Sequence, residues 1–224
     1  MANVANAFGF KHVGYQEGTA PTMGLRPRKI ALGNTNPIFH GDPVVSLSTG
    51  YIAQAVNNAA TVGVAGIFSH CEYFSVSQQR KVRSNYWPGS DAQFDVDAFI
   101  IDTIGAMFVA ASNGAAIVTA NLDNNIGFNI ATGGSATPTA GQGNTVSQLS
   151  GATLDVAGTN GTGSGAINTT TTLPFRLMRL YSDLVIPGSP LLGGTSVNGA
   201  DNTTNFNWAV VTFNNQALKQ LTGI

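Results

Sequence analysis

Residues 67–90, IFSHCEYFSVSQQRKVRSNYWPGS, constrain the fold more than any other stretch. Aromatic residues are scarce, at 8% of the chain, yet Phe68, Tyr73, Phe74, Tyr86 and Trp87 all fall here. Three of the ten basic residues, Arg80, Lys81 and Arg83, lie close together. The single cysteine, Cys71, sits between His70 and Glu72. An aromatic run, a polar middle and a Trp87-Pro88-Gly89 corner predict two strands joined by a polar turn. The shorter β-like segments on either side predict strands packed around this hairpin.

Elsewhere the chain is cut into short pieces by turn residues. Residues 1–27 read as an N-terminal arm, in which Phe8, Phe10 and Tyr15 follow no sustained period. Such arms are ordered only when something else holds them. Residues 28–224 read as one β domain. Strands are expected at 28–32, 44–48, 51–55, 98–101, 107–110, 128–131, 173–181 and 208–213. Gly41-Asp42-Pro43, Thr49-Gly50 and Asn113-Gly114 separate several of them, 57–61 reads as a loop, and Pro187 and Pro190 bracket a further turn. Residues 93–97 alternate like a half-buried strand, with Phe94 and Val96 opposite Gln93, Asp95 and Asp97. Along 173–181, Phe175, Leu177 and Arg179 oppose Arg176, Met178 and Leu180. Trp208, Val210 and Thr212 oppose Ala209, Val211 and Phe213. Helical turns are expected near 122–126 and within 214–224, where Leu218 and Leu221 would point inward.

Residues 132–172 are low in complexity and dominated by Gly, Thr and Asn. They read as a long loop excursion, anchored at Val146, Leu149 and Leu154. Many short strands with little helix predict an all-β fold. The architecture expected is a single β-sandwich, jelly-roll-like, or a β-barrel, with an extended N-terminal arm and a long Gly/Thr/Asn-rich loop.

Composition narrows the function. Hydrophobic residues make up 43% of 224 residues, enough for one sizeable core. Charged residues are 9%, against about 25% in an average soluble domain. The remaining polarity comes from Asn, Thr, Ser, Gln and glycine. Uncharged polar groups cost less to desolvate, so such surfaces suit proteins packed against neighbours. A net charge of −1 argues against nucleic acid as a direct partner. One cysteine excludes an intramolecular disulfide. The first residues carry neither the basic nor the apolar region of a signal peptide, so synthesis in a cytoplasm is expected. The apolar stretch 98–111 is broken by Asp102, Thr103 and Gly105, so no membrane span is expected.

Chemistry-bearing patterns are few. Strand alternation puts His70 and Glu72 on one face and Cys71 on the other. The other histidines, His12 and His40, do not complete metal-ligand spacing. Cys71 reads as a small buried hydrophobe. Neither a G-x-S-x-G elbow nor a Walker A loop occurs, and the glycines at 161–165 read as loop. Asp95 and Asp97 read as solvated strand residues. The sequence therefore predicts no catalytic residue, no cofactor and no metal ligand. Arg80, Lys81 and Arg83 with Tyr86 and Trp87 fit single-stranded nucleic acid or a protein interface, and the overall charge favours the interface. Phe8, Phe10 and Tyr15 of the arm join them as candidate anchors.

Several segments together carry a resemblance. They are GIFSHCEYF, the K-x-x-S-x-YWPGS element (Lys81, Ser84, Tyr86, Trp87, Pro88, Gly89, Ser90), GDPVVSLSTGYIAQA, TLPFRLMRLY and NFNWAVVTFNNQALKQLTGI. They resemble small structural proteins of tailed bacteriophages, specifically accessory head proteins of the decoration or cement type. The resemblance covers most of the chain outside 132–172. It implies a β-rich homo-oligomer on the capsid exterior that binds the major capsid protein and its own copies, with no catalysis. On this reading the arm and the 132–172 tract reach across capsomer boundaries. Two other classes stay open. One is a tail-tube or other phage structural subunit. The other is a carbohydrate-binding or hydrolytic β protein using Tyr86, Trp87, Asp95 and Asp97.

Overall fold

The computed structural model describes residues 7–18, 24–55, 63–156, 158, 166–169, 171–181 and 198–219. The expected loop at 57–61, the glycines at 161–165, the turn at Pro187 and Pro190, and Leu221 lie outside the described residues. Among the described residues, sixteen strands, numbered here in chain order, make up the regular structure, with 3-10 turns at Thr119–Asn121 and Ala217–Lys219. The fold is all-β, and of the two expected architectures it is the barrel that forms.

Five strands close that barrel. Going round it, β10 (Ala106–Asn113) pairs with β14 (Thr153–Asp155), β14 with β11 (Asn125–Asn129), β11 with β15 (Phe175–Leu180), and β15 with β16 (Trp208–Phe213). Strand β16 then returns to β10, Phe108 opposite Val211. Only the β10–β14 pair is parallel. Inward residues from every strand, among them Phe108, Leu154, Phe128, Phe175 and Val211, fill the interior. Closure leaves this barrel without the open edges that invite stray strand pairing.

Within the arm expected over residues 1–27, the described residues form one strand and the start of another. Strand β1 (Lys11–Tyr15) pairs with the Ala106–Val109 end of β10, and β2 (Leu25–Ile30) belongs to a second sheet. Phe10, just before β1, stacks on Phe175 inside the barrel cluster with ring centroids 4.4 Å apart. The alternation that would have marked this strand is interrupted by a register shift between His12 and Gly14.

The second sheet runs β2, β9 (Val96–Ile101), β6 (Gly66–Ser75), β4 (Pro43–Ser46) and β5 (Ile52–Gln54), all antiparallel. It curls until β5 lies against β2. Arg28 Nη2 donates to Ser46 Oγ at 2.8 Å across that approach. Ile30, Val44, Ile52, Phe68, Cys71 and Val96 fill the curl. A short ribbon, β3 (Ile38–Phe39) with β8 (Tyr86–Trp87), adds Ile38 and Trp87 to the same cluster. Among the described residues, strand β7 (Arg80–Ser84) pairs with β6 alone.

A bulge between Phe68 and His70 sets which residues of β6 face inward. Ahead of it, Ile67 packs with the barrel and Phe68 with the curl. The extra residue shifts the alternation, so Cys71 and Tyr73 return to the curl. Ile67 and Ile101 on the outer face thus weld the curled sheet to the barrel. A second shift, between Leu177 and Arg179, turns Leu180 inward beside Phe175 and Leu177. This corrects the simple alternation expected for 173–181. Phe94 is corrected as well: it lies outside β9 and is 63% exposed, while Val96 is fully buried.

The described parts of the 132–172 tract carry structure. They include the parallel pair β12 (Gly134–Ser135) and β13 (Gly143–Asn144), and also β14. Leu154 is a core residue, whereas Val146 is 76% exposed and anchors nothing. The glycines here serve close packing. A Cβ on Gly143 would sit 2.0 Å from Phe39 Cδ2, and one on Gly134 2.2 Å from Phe39 Cζ.

Candidate interaction surfaces

The cationic hairpin is the first surface. β6 and β7 meet at a turn braced by Asp91, which accepts from Ser75 Oγ at 2.5 Å, Ser77 N at 2.8 Å and Ser77 Oγ at 2.9 Å. These bonds, the Ser75 hydroxyl foremost, hold the Asp91 carboxyl below the usual carboxylate range. Beyond the turn, a row of charge crosses the outer face of four strands. Lys29 is opposite Asp97, Asp97 opposite Glu72, and Glu72 opposite Arg83. Lys29 Nζ lies 2.6 Å from Asp97 Oδ1, and Lys81 Nζ lies 2.7 Å from Glu72 Oε2. The Lys81 contact depresses the Glu72 carboxyl and raises the Lys81 ammonium. Arg80 reaches Gln78 Oε1 at 2.8 Å. Arg83 makes no ion pair among the described residues. In a chain with so little charge, three cations and two anions share this face.

Three of the eight candidate anchors are not on the surface. Trp87 is buried, donates from Nε1 to Asn34 O at 3.1 Å and packs edge-on against Tyr73. Phe10 and Tyr15 are buried in the barrel cluster. Their apolar rings gain more from the core than from solvent-facing positions, and Trp87 also satisfies its one donor there. Tyr86 stacks on Phe39 at 5.2 Å and is half-buried. Arg80, Lys81 and Arg83 remain, and Phe8 belongs elsewhere.

Phe8 lies in an aromatic cleft on the outside of the barrel wall. Its ring meets Trp208 edge-on at 4.8 Å, and Tyr181 meets Trp208 at 4.8 Å from another direction. Lys11, His40, Val109 and Leu149 complete a volume of about 490 Å³. The His40 ring is fixed because Nδ1 donates to Ser69 O at 2.7 Å. Trp208 Nε1 is buried and has no hydrogen-bond partner among the described residues. In the sequence Trp208 is marked only by strand alternation; its place beside Tyr181 follows from β15 pairing with β16.

A larger volume, about 620 Å³, opens between the 138–153 segment and the adjoining ends of β10 and β11. Its lining includes Asn113, Asn129, Thr139, Gln142, Asn144 and Phe206, and among the described residues holds no ionisable side chain. Low-complexity composition concealed this cavity, since Asn, Gln and Thr in such a tract read as loop filler.

Asp95 accepts from Leu32 N at 2.9 Å and Tyr51 Oη at 2.8 Å, and Asp97 is paired with Lys29. Burial of Trp87 withdraws its ring from the alternative carbohydrate site at Tyr86, Trp87, Asp95 and Asp97. Cys71 faces the curl and Glu72 faces out, as alternation predicts. Burial pushes the Cys71 thiol up to about 12. Burial lowers the His70 pKa, with Arg83 adding to the effect. Among the described residues, no group of three His, Cys, Asp or Glu side chains is placed to hold a metal ion, and no helix is long and apolar enough to cross a membrane. Compared with known proteins, the chain matches no family model, and no curated protein or solved structure shows significant similarity to it.

Proposed function

We propose that the protein is a structural component of a tailed-phage virion, a decoration or cement protein on the capsid exterior. On this reading it binds the major capsid protein and further copies of itself, and it performs no catalysis. The observation that carries the reading is the cationic hairpin. Arg80, Lys81 and Arg83 project from β7, which among the described residues pairs only with β6, on a surface otherwise poor in charge. Cations on an exposed edge strand discourage indiscriminate strand pairing while leaving a charged patch for one complementary surface. The segment resemblance supports the same reading.

Such a protein works by mass action. It binds the assembled shell and not the separated subunits, so it stabilises assembly by its own binding free energy. Repeated sites on a symmetric lattice add avidity. The test is a cryo-EM map of particles from the phage that encodes the chain, with a reconstitution assay on shells stripped of it. Density for the chain on the outer shell, and occupancy lowered at least tenfold by Arg80→Glu with Arg83→Glu, are the expected results. Density confined to the tail, or unchanged occupancy of the double variant, overturns the proposal.

A further inference from the structure

We propose that the uncharged cavity between the 138–153 segment and the barrel binds a neutral oligosaccharide. The inference is independent of the virion role and rests on how the lining amides are oriented. Asn144 Oδ1 accepts from Val146 N at 2.8 Å and Ser147 N at 3.0 Å. Gln142 Oε1 accepts from Thr139 N at 3.3 Å, and Asn113 Oδ1 from Val156 N at 3.2 Å. Each oxygen is therefore held by the backbone, which fixes which end of each amide is its donor end. The three amino groups donate to nothing among the described residues. They leave the cavity supplied with donors at set positions.

The chemistry of that donor set selects the ligand. An anionic ligand would call for a cation, and a cationic ligand for a carboxylate, and the lining holds neither. An extended peptide presents N–H groups that need acceptors, and of the four amides in the lining only Asn129 keeps its oxygen outside these backbone bonds. Sugar hydroxyls and ring oxygens accept from amide N–H₂ groups, and each hydroxyl turns its own proton toward whatever acceptor is near. Sugar rings also offer C–H faces to aromatic rings. Phe206 lines the cavity itself. Leu149 lines both this cavity and the cleft of Phe8, Tyr181 and Trp208, so an oligosaccharide extending past Leu149 meets that aromatic wall. A volume of about 620 Å³ falls within the range of about 300–1,000 Å³ usual for small-ligand sites. With no carboxylate in the lining, the bound sugar is held and not hydrolysed.

The test uses the full chain and soluble probes. Maltohexaose, cellohexaose and chitohexaose are titrated by calorimetry and by saturation-transfer NMR. Trigalacturonate serves as the acidic control and an uncharged Gly/Ser decapeptide as the peptide control. At least one neutral hexaose should bind, and neither control should. Gln142→Glu combined with Asn144→Asp keeps both oxygen acceptors and removes the two amino donors. It should weaken binding at least tenfold with the melting temperature unchanged. In the unmodified protein, saturating sugar should shift the side-chain amide resonances of Asn113, Gln142 and Asn144, a readout that does not depend on the variant folding. Absence of binding by all three hexaoses, unmoved amide resonances, undiminished affinity in a folded variant, or preference for either control overturns the proposal. A change of oligomeric state in the variant without a change in sugar affinity also overturns it, and assigns the cavity to contact between copies.

Discussion

The Gln54 side-chain amide donates to Asp42 Oδ2 at 2.9 Å, in a place that water does not reach. Phe39 N donates to the same oxygen at 2.8 Å, and the Ser150 hydroxyl also bonds this carboxyl. One carboxyl therefore ties β3, β5 and the 132–172 tract together. Burial dominates its titration and raises the pKa from 3.8 to about 6, against the opposing pull of the three hydrogen bonds.

The folded protein holds the Asp42 proton more tightly than the unfolded chain. The resulting stability is complete below pH 3.8 and is lost as pH rises through about 6. At about 1.4 kcal/mol per unit, the total is on the order of 3 kcal/mol. Asp42→Asn keeps an acceptor for Phe39 N and Gln54 and cannot ionise. Asp91 and Asp95, with depressed pKa values, act with the opposite sign at lower pH in both proteins. The difference in unfolding free energy between variant and parent should therefore grow in the variant's favour from pH 4.5 to 7.5. Denaturant titrations that show a pH-independent difference would rule out titration of Asp42 across this range.

Gly143→Ala should cost about 1–3 kcal/mol, the usual range for overpacking, although Ala is ordinarily the more favourable residue in a strand. The added methyl would meet the Phe39 ring, which also stacks on Tyr86. Shortening the ring in a Phe39→Leu background should reduce the penalty of the Gly143 change. A double-mutant cycle by chemical denaturation reads the coupling. Strictly additive effects would show that the tract does not pack on Phe39.

How far this structure is legible in the sequence depends on regular alternation. Ala209, Val211 and Phe213 point inward as their spacing predicts, and so does Cys71. A one-residue bulge leaves no compositional mark, so the inward turn of Leu180 could not be read from LPFRLMRLY. The N-terminal strand escaped for a related reason. Gly9 has φ +72° and a Cβ there would meet Ser150, and the pairing of β1 slips at Gly14, so Phe10 and Tyr15 lose a common period. The glycines of the tract read as flexible because composition does not reveal that Phe39 lies against two of them. The candidate surfaces divide in the same way. A local cluster such as Arg80, Lys81 and Arg83 is visible in the sequence, whereas Phe8, Tyr181 and Trp208 meet only after three distant segments pair.

Phe10→Ala should destabilise the protein by about 3–5 kcal/mol, the range for removing a large buried aromatic. The ring stacks on Phe175 and meets Phe128 edge-on at 6.4 Å, so its loss opens a cavity inside the closed barrel. Removing residues 1–20 deletes this plug and β1 together, and should unfold the barrel instead of only weakening shell binding. Circular dichroism melts separate the two outcomes: a truncated chain that melts like the parent would return residues 7–15 to the role of an arm.

Cys71 offers a probe of the curled sheet alone. Its thiol is buried, donates to Tyr86 O at 3.5 Å, and has a pKa pushed up to about 12 by burial, with Glu72 adding to the effect. Only the thiolate reacts with a disulfide reagent, so the folded protein presents almost no reactive form at pH 8. Labelling by 5,5′-dithiobis(2-nitrobenzoate) should therefore proceed only through opening of the sheet. It should slow in step with added stability and become immediate in denaturant. Substituting Trp87 by Phe removes the bond to Asn34 O and loosens the ribbon that covers Cys71, so labelling should accelerate at least tenfold. Rapid stoichiometric labelling of the unperturbed native protein would place the thiol at the surface and refute the inward register that follows the bulge in β6.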